Sequence, residues 1–241
     1  MGAGDLRIES RFHGPPRSGN GGYTCGLLAA RLHGPATVRL RVPPPLDEPL
    51  LVEAAEGGAR LLHGAQVVAE ARAGAETPDP PAPPTFAEAT AASRTYEGFS
   101  HHWFPTCFVC GPQRDAGEGL RIFPGRLGES KEFAAPWIPD ASLGDADGVV
   151  RNEYLWAALD CPGAHSFAHA RDRAVVLGEL GVRLFGSVRA GERCVVVGWE
   201  IEATGRRHFT GTALFGEDGT CRGVGRAVWF EVPAEEFLQS A

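Results

Sequence analysis

The stretch SGNGGYTCGLLAARL, residues 18–32, begins with glycines and continues as an apolar segment that predicts a helix over Tyr23–Leu32. Glycine is unfavourable inside a helix by roughly 1 kcal/mol relative to alanine, but it lets another group approach the backbone closely. Gly21 and Gly22 therefore stand at the start of a buried helix that has no ionisable carboxylate or base before Arg31. The pattern indicates one half of a site whose other half lies elsewhere in the chain.

An internal repeat shows where that other half lies. Each half of the chain predicts a strand, one apolar helix and then an antiparallel meander of strand-like runs separated by turn residues. The helix of the second half is predicted over Asn152–Asp160, after strand candidates at Leu120–Phe123 and Lys131–Trp137, whereas Leu6–His13 precedes the first helix. The aligned pairs of segments are Val38–Leu40 with Val182–Leu184, Leu50–Val52 with Cys194–Val196, and Leu61–Ala71 with Ala213–Gly223.

The repeat predicts an α+β fold of two tandem units, each an antiparallel sheet wrapped around a central helix. We expect an N-terminal unit over residues 1–75, a Pro/Ala-rich extended linker over 76–100 and a C-terminal unit over 101–241. The second unit has a longer connection between helix and meander, CPGAHSFAHARDRAVV, which is either a pocket wall or lid or a plain elaboration.

The composition excludes several classes of protein. The 241 residues are 43% hydrophobic and 22% charged, with a net charge of −7, which disfavours nucleic-acid binding. No run approaches the length of about 18 apolar residues that a membrane span needs. The first residues lack a signal-peptide pattern, so we expect a cytoplasmic protein whose six cysteines form no disulfide framework.

Several short motifs resemble the hotdog-fold acyl-CoA thioesterase-like family in its single-chain, double-hotdog form. They are NGGY before the first helix, VRLRVPPPL, EAAEGGARLL, CFVCGP followed by GLRIFP, and EYLWAALDCPGA. The resemblance covers most of the chain outside the linker and the last residues. It implies two hotdog units, hydrolysis of acyl-CoA or acyl-carrier thioesters with coenzyme A as part of the substrate and no separate cofactor, and association of chains into homo-oligomers.

The family builds its site between the start of one helix and a carboxylate on the other helix. Here the helices are complementary, because the first has the glycines and the second has Asp160. We expect Asp160 to act as base or nucleophile, with its pKa raised by burial. Backbone N–H groups of Gly22 and Tyr23 at a helix start suit the oxyanion, with Gly21 allowing close approach. Asn20 is expected to orient substrate or water, and Asn152 and Glu153 to assist in binding.

Structural alternatives exist for these residues. The glycine pair also suits a tight turn or helix–sheet packing, and Asp160 also suits a polar helix end. Glu153 also suits the first turn of a helix, where the helix dipole stabilises an acid.

The segment HHWFPTCFVCGP offers His101, His102, Cys107 and Cys110 as zinc ligands, but no second CxxC pair follows. We therefore expect no metal there and favour an entry loop packed by Trp103, Phe104 and Phe108. Two other functions stay open: a non-catalytic binder of acyl-CoA or lipid-like ligands, and a hotdog enoyl-CoA hydratase, whose Asp-x-Asn-Pro-x-His motif is absent.

Overall fold

The computed structural model describes residues 4–168, 170 and 172–235. One antiparallel sheet of 11 strands runs through it in the order β1-β3-β4-β5-β2-β8-β11-β10-β9-β7-β6. The strands are β1 Gly4–Leu6, β2 Ala36–Leu40, β3 Leu50–Ala55, β4 Gly58–His63, β5 Gln66–Ala73, β6 Gly125–Arg126, β7 Phe133–Trp137, β8 Arg173–Leu184, β9 Cys194–Thr204, β10 Arg207–Phe215 and β11 Cys221–Pro233. The helices are α1 Gly21–Ala29, α2 Phe86–Ser93, α3 Asn152–Ala158 and α4 Cys161–Ala164.

The two halves of the chain meet at the β2–β8 pair. Ala36 pairs with Val182 and Val38 with Leu180 in an antiparallel register. On either side the strands follow in matching order, β5-β4-β3 in one half and β11-β10-β9 in the other. This pseudo-symmetry confirms the predicted α+β fold of two tandem hotdog units, each with four main strands. The unit boundaries at residues 75 and 100, and the association of chains, stay predictions.

Two strand predictions need correction. The predicted strand Leu6–His13 ends at Leu6, because the chain turns through a short 3-10 helix at Ser10–Phe12 that stacks Phe12 on Tyr23 at 4.2 Å. The candidate Leu120–Phe123 is not a strand of the sheet. Its amides instead bond to the CxxC loop, Leu120 N–H to Phe108 O at 2.8 Å and Ile122 N–H to Val109 O at 2.9 Å.

The helix predictions also shift. The segment 76–100, predicted as extended, contains α2, since Thr85 and Glu88 form a capping box and Ala89 and Ala92 are buried. Helix α1 begins at Gly21 and ends at Ala29, earlier at both ends than predicted. The helix predicted over Asn152–Asp160 breaks after Ala158, and α4 follows from Cys161. None of the helices in the described ranges is both long and apolar enough to cross a membrane.

Helices α1 and α3 pack against each other inside the sheet, and glycine makes this contact possible. A Cβ on Gly26 would lie 2.6 Å from Glu153 Cα and 2.9 Å from Trp156 Cβ. Beside this crossing, Tyr23 of α1 lies 5.7 Å from Tyr154 of α3, ring centre to ring centre. Most buried apolar residues of both halves form one core that includes the two helices, and a second, smaller cluster lies where α2 packs on β7, β9 and β10.

We expect Gly26→Ala to destabilise the fold by about 1–3 kcal/mol, because the added methyl overlaps the backbone of α3. In a helix without this contact, the change from glycine to alanine stabilises the protein by up to ~1 kcal/mol. The sign of the change in the free energy of unfolding therefore distinguishes the two cases. Urea unfolding monitored by tryptophan fluorescence measures the difference. Gly186→Ala is the control, since a Cβ added there would lie 3.4 Å from the nearest atom, Arg222 Cδ. Equal stabilities of the two variants would contradict the close packing of Gly26 on α3.

Candidate functional site

Asn20 organises the start of helix α1. Its side chain is buried, and its Oδ1 accepts a hydrogen bond from the backbone N–H of Tyr23 at 2.9 Å, which caps the helix. The other end of the same amide, Nδ2, donates to Asp160 Oδ2 at 3.0 Å. Asn20 therefore joins the start of α1 to the carboxylate that the second half of the chain supplies.

Asp160 lies at the break between α3 and α4, where φ −91° and ψ −84° interrupt the helix. The break turns its carboxylate toward α1, and Oδ2 accepts the backbone N–H of Gly22 at 2.9 Å. A Cβ on Gly22 would lie 2.4 Å from Asp160 Cβ and 2.9 Å from Trp156 O. Gly22 thus lacks a side chain at the point where Asp160 approaches the helix.

The Asp160 carboxyl group is buried with only part of its hydrogen-bonding capacity used. Burial raises its pKa to about 7, although the bonds from Gly22 and Asn20 act in the opposite direction. Its Oδ1 atom has no hydrogen-bond partner among the described residues. This oxygen therefore keeps unused capacity to accept a hydrogen bond.

A cavity of about 670 Å³ opens beside this carboxylate, where the two halves of the sheet meet. The ends of β2, β8 and β11 form one side, and the residues after α4 and the segment 101–104 form the other. Its wall is mainly apolar and aromatic. The large apolar side chains include Trp103, Phe104, Phe167, Leu177 and Trp229.

The structure brings Asn20, Gly21, Gly22 and Asp160 together, and all but Gly22 line the cavity. The N–H groups of Gly22 and Tyr23, predicted as oxyanion donors, are already bonded to Asp160 and Asn20 respectively. By contrast, the N–H of Gly21 has no hydrogen-bond partner among the described residues. This N–H can therefore bind another acceptor without the loss of an existing hydrogen bond.

The remaining predicted residues lie outside the cavity wall. Tyr23 is buried in an aromatic cluster with Phe12 and Phe108. Glu153 forms an ion pair with Arg151 at 3.2 Å, and Asn152 is exposed at the start of α3. A role of Asn152 and Glu153 in binding substrate stays a prediction, as does the predicted oxyanion role of the Tyr23 backbone N–H.

Sequence reasoning missed several residues of the wall. Cys161, His165 and Phe167 come from the longer connection of the second half, which forms a wall of the cavity. His169, which the sequence places in the same connection, lies outside the described residues. Cys107 and Cys110 also line the cavity, and Cys107 Sγ lies 3.9 Å from Cys161 Sγ. In the sequence, the length of the connection and the CxxC spacing were the signals that could have indicated these residues. The sequence does not show that Cys161 lies next to the CxxC pair.

Solved structures share this fold across nearly the whole chain. An acyl-CoA thioesterase II, TesB2, from Mycobacterium marinum matches with a TM-score of 0.58 and 13% identity over 96% of this chain and 93% of that chain. A tesB protein of Mycobacterium avium subsp. paratuberculosis matches with a TM-score of 0.59 and 11% identity over 96% and 93%.

A hot dog fold protein from Alicyclobacillus acidocaldarius gives a TM-score of 0.57 and 12% identity over 95% and 93%. At such identities the similarity shows the double-hotdog fold. No family model and no curated protein matches the sequence.

We expect Asn20→Ala to destabilise the protein by about 2–4 kcal/mol, because it removes a helix cap and leaves a buried carboxylate with one donor. Thr85→Ala is the matched control, since Thr85 caps α2 at the surface through the N–H of Glu88. The loss of stability in Thr85→Ala is expected to be about 1 kcal/mol. Equal losses in thermal or urea unfolding would show that the bond from Asn20 to Asp160 contributes nothing.

Proposed function

We propose that this chain hydrolyses acyl-CoA or related thioesters in the cavity between its two halves. The observation that carries the proposal is the buried Asp160 carboxylate at the N-terminus of α1, beside an apolar cavity. The shared fold with proteins named as acyl-CoA thioesterases adds support, although one fold hosts several activities. The residues present match the requirements of thioester hydrolysis step by step.

Asp160 is the general base of the proposed reaction. Its Oδ2 is held by Gly22 N–H and by the Asn20 amide, which leaves Oδ1 to take a proton from water as that water attacks the thioester carbonyl carbon. Collapse of the tetrahedral intermediate breaks the carbon–sulfur bond, and the proton passes from Asp160 to the leaving thiolate. The products are a carboxylic acid and a free thiol.

The start of α1 stabilises the oxyanion. Negative charge that develops on the carbonyl oxygen is favoured near unpaired N–H groups at a helix N-terminus, where the helix dipole adds to the hydrogen bond. Gly21 supplies such an N–H in the cavity wall. Gly22 and Tyr23, proposed from sequence for this role, instead hold the base and the capping side chain in place.

The apolar part of the cavity holds the acyl group. Trp103, Leu177 and Trp229 give it a hydrophobic wall, and burial of each methylene in such a wall stabilises binding by ~0.8 kcal/mol. The volume of about 670 Å³ is in the range of cavities that enclose drug-sized ligands. We infer that the acyl chain packs against this wall and that the thiol product leaves through the open side of the cavity.

We expect Asp160→Asn to lower kcat/KM for thioester cleavage by about 100-fold or more, because the amide cannot accept the proton. Asparagine keeps the size and one acceptor oxygen, and it removes a buried charge, so the melting temperature should not fall. Thiol release is measured over a panel of short-chain, long-chain and aromatic acyl-CoAs.

The surface variant Asp147→Asn is the control and should match the wild type. Full activity in Asp160→Asn would remove Asp160 from the mechanism. Negligible release from the wild type over the whole panel, with measurable acyl-CoA binding, would instead identify a non-catalytic binder.

We expect Gly21→Pro to lower kcat by about 100-fold relative to Gly21→Ala, because proline lacks the N–H proposed to bind the oxyanion. Proline is favourable at the first position of a helix, and Asn20, at φ −58° and ψ 132°, has a conformation suited to precede it. Both variants place a Cβ near Leu177 Cδ2, at 2.8 Å, so that contact is common to the pair. Equal kcat values for the two variants would exclude Gly21 N–H as the donor.

A further inference from the structure

Three cysteine sulfurs converge beside the candidate site. The Sγ atoms of Cys107, Cys110 and Cys161 lie within 4.8 Å of one another, and Cys107 and Cys161 are 3.9 Å apart. In a tetrahedral zinc site with Zn–S bonds of about 2.3 Å, neighbouring sulfurs are about 3.8 Å apart. All three thiols are buried, two from the CxxC loop between α2 and β6 and one from α4. The spacing of the sulfurs therefore approaches that of a metal-ligand set.

The CxxC loop is a tight turn that fixes Cys107 and Cys110 relative to each other. The loop closes through a bond from Gly111 N–H to Cys107 O at 3.0 Å. A Cβ on Gly111 would lie 2.5 Å from both the N and the O of Cys107, so this turn requires glycine. The Asn20 amide nitrogen, 3.9 Å from Cys107 Sγ, is a hydrogen-bond donor beside this sulfur.

The other two sulfurs also have donors. Phe104 N–H donates to His102 Nδ1 at 2.9 Å, so the neutral ring carries its proton on Nε2, which lies 3.3 Å from Cys110 Sγ and donates to it. The Asn20 amide nitrogen lies 3.9 Å from both Cys107 Sγ and Cys161 Sγ. Such donors around the ligands are the usual surroundings of a metal site.

We propose that Cys107, Cys110 and Cys161 bind one Zn²⁺ ion, with His102 and the Asn20 amide hydrogen-bonding to the ligand sulfurs. This departs from the sequence-based expectation of no metal, which lacked a third sulfur next to the CxxC pair. Binding releases the thiol protons and places a divalent cation among the three thiolates. No fourth described ligand atom lies near all three sulfurs, so the fourth position is open to a solvent molecule or a thiol.

Purified wild-type protein tests the proposal directly. We expect about one equivalent of zinc by elemental analysis after expression with added Zn²⁺ and desalting. Removal of the metal by chelation, followed by Co²⁺, should give thiolate-to-cobalt charge-transfer absorption in the near ultraviolet together with the visible bands of tetrahedral cobalt. A zinc content near zero with no cobalt spectrum, or a disulfide between any two of the three cysteines in a freshly purified sample, would overturn it.

Paired variants locate the site. Cys161→Ser should lower the zinc content at least tenfold, whereas Cys221→Ser, which removes a cysteine far from the cluster, should retain the full equivalent. If both variants keep their zinc, the metal is bound elsewhere and the assignment is overturned. If Cys161→Ser does not fold, the cobalt titration of the wild type is the deciding measurement. Because the readout is metal content, Asp160→Asn should keep its zinc even where hydrolysis is lost.

Discussion

The bond from Gly22 N–H to Asp160 Oδ2 is the contact on which the organisation of the site depends. It joins the first turn of one central helix to the end of the other, and so joins the two halves of the chain at their centre. The absence of a side chain at Gly22 permits it, because any Cβ there would overlap Asp160. The anion at the helix N-terminus gains from the dipole, and this offsets part of the cost of burying a carboxylate.

The carboxylate nevertheless remains costly to bury. Burial raises its pKa to about 7 even though Oδ2 accepts hydrogen bonds, and Oδ1 has no partner among the described residues. A folded protein gains no stability from leaving a buried oxygen unpaired. The unpaired Oδ1 is therefore a cost that the folded protein carries.

The sequence predicted the α+β fold class, because each half carries a copy of one pattern, and the resemblance to double-hotdog proteins implied the pairing of Asp160 with the glycine-rich helix start. The aligned runs at Val38 and Val182 correspond to the β2 and β8 strands that join the halves. The repeat could not predict which group each glycine contacts. Whether Gly22 and Gly26 face a ligand or another helix depends on how two helices cross, and that is a tertiary contact with no local signature.

The same limit applies to the cysteines. Cys161 follows Asp160 directly, yet the spacing of more than 50 residues from the CxxC pair hides their proximity. The break after Ala158 brings them together, since it turns Asp160 toward α1 and starts α4 with Cys161 near the loop of Cys107. The apolar pattern predicted a helix over Asn152–Asp160 and did not indicate this break.

Asn20 makes the carboxylate and the thiol cluster interdependent. One amide nitrogen lies 3.0 Å from Asp160 Oδ2 and 3.9 Å from two of the sulfurs, while the oxygen of the same side chain caps α1. An amide fixed at both ends cannot turn toward one group without moving relative to the other. A Zn²⁺ ion bound by the sulfurs, as proposed, would therefore fix the position of the amide that contacts the Asp160 carboxylate. A change at the cysteines should reach Asp160 through this side chain and through Cys161, whose Sγ lies 4.0 Å from Asp160 Oδ2.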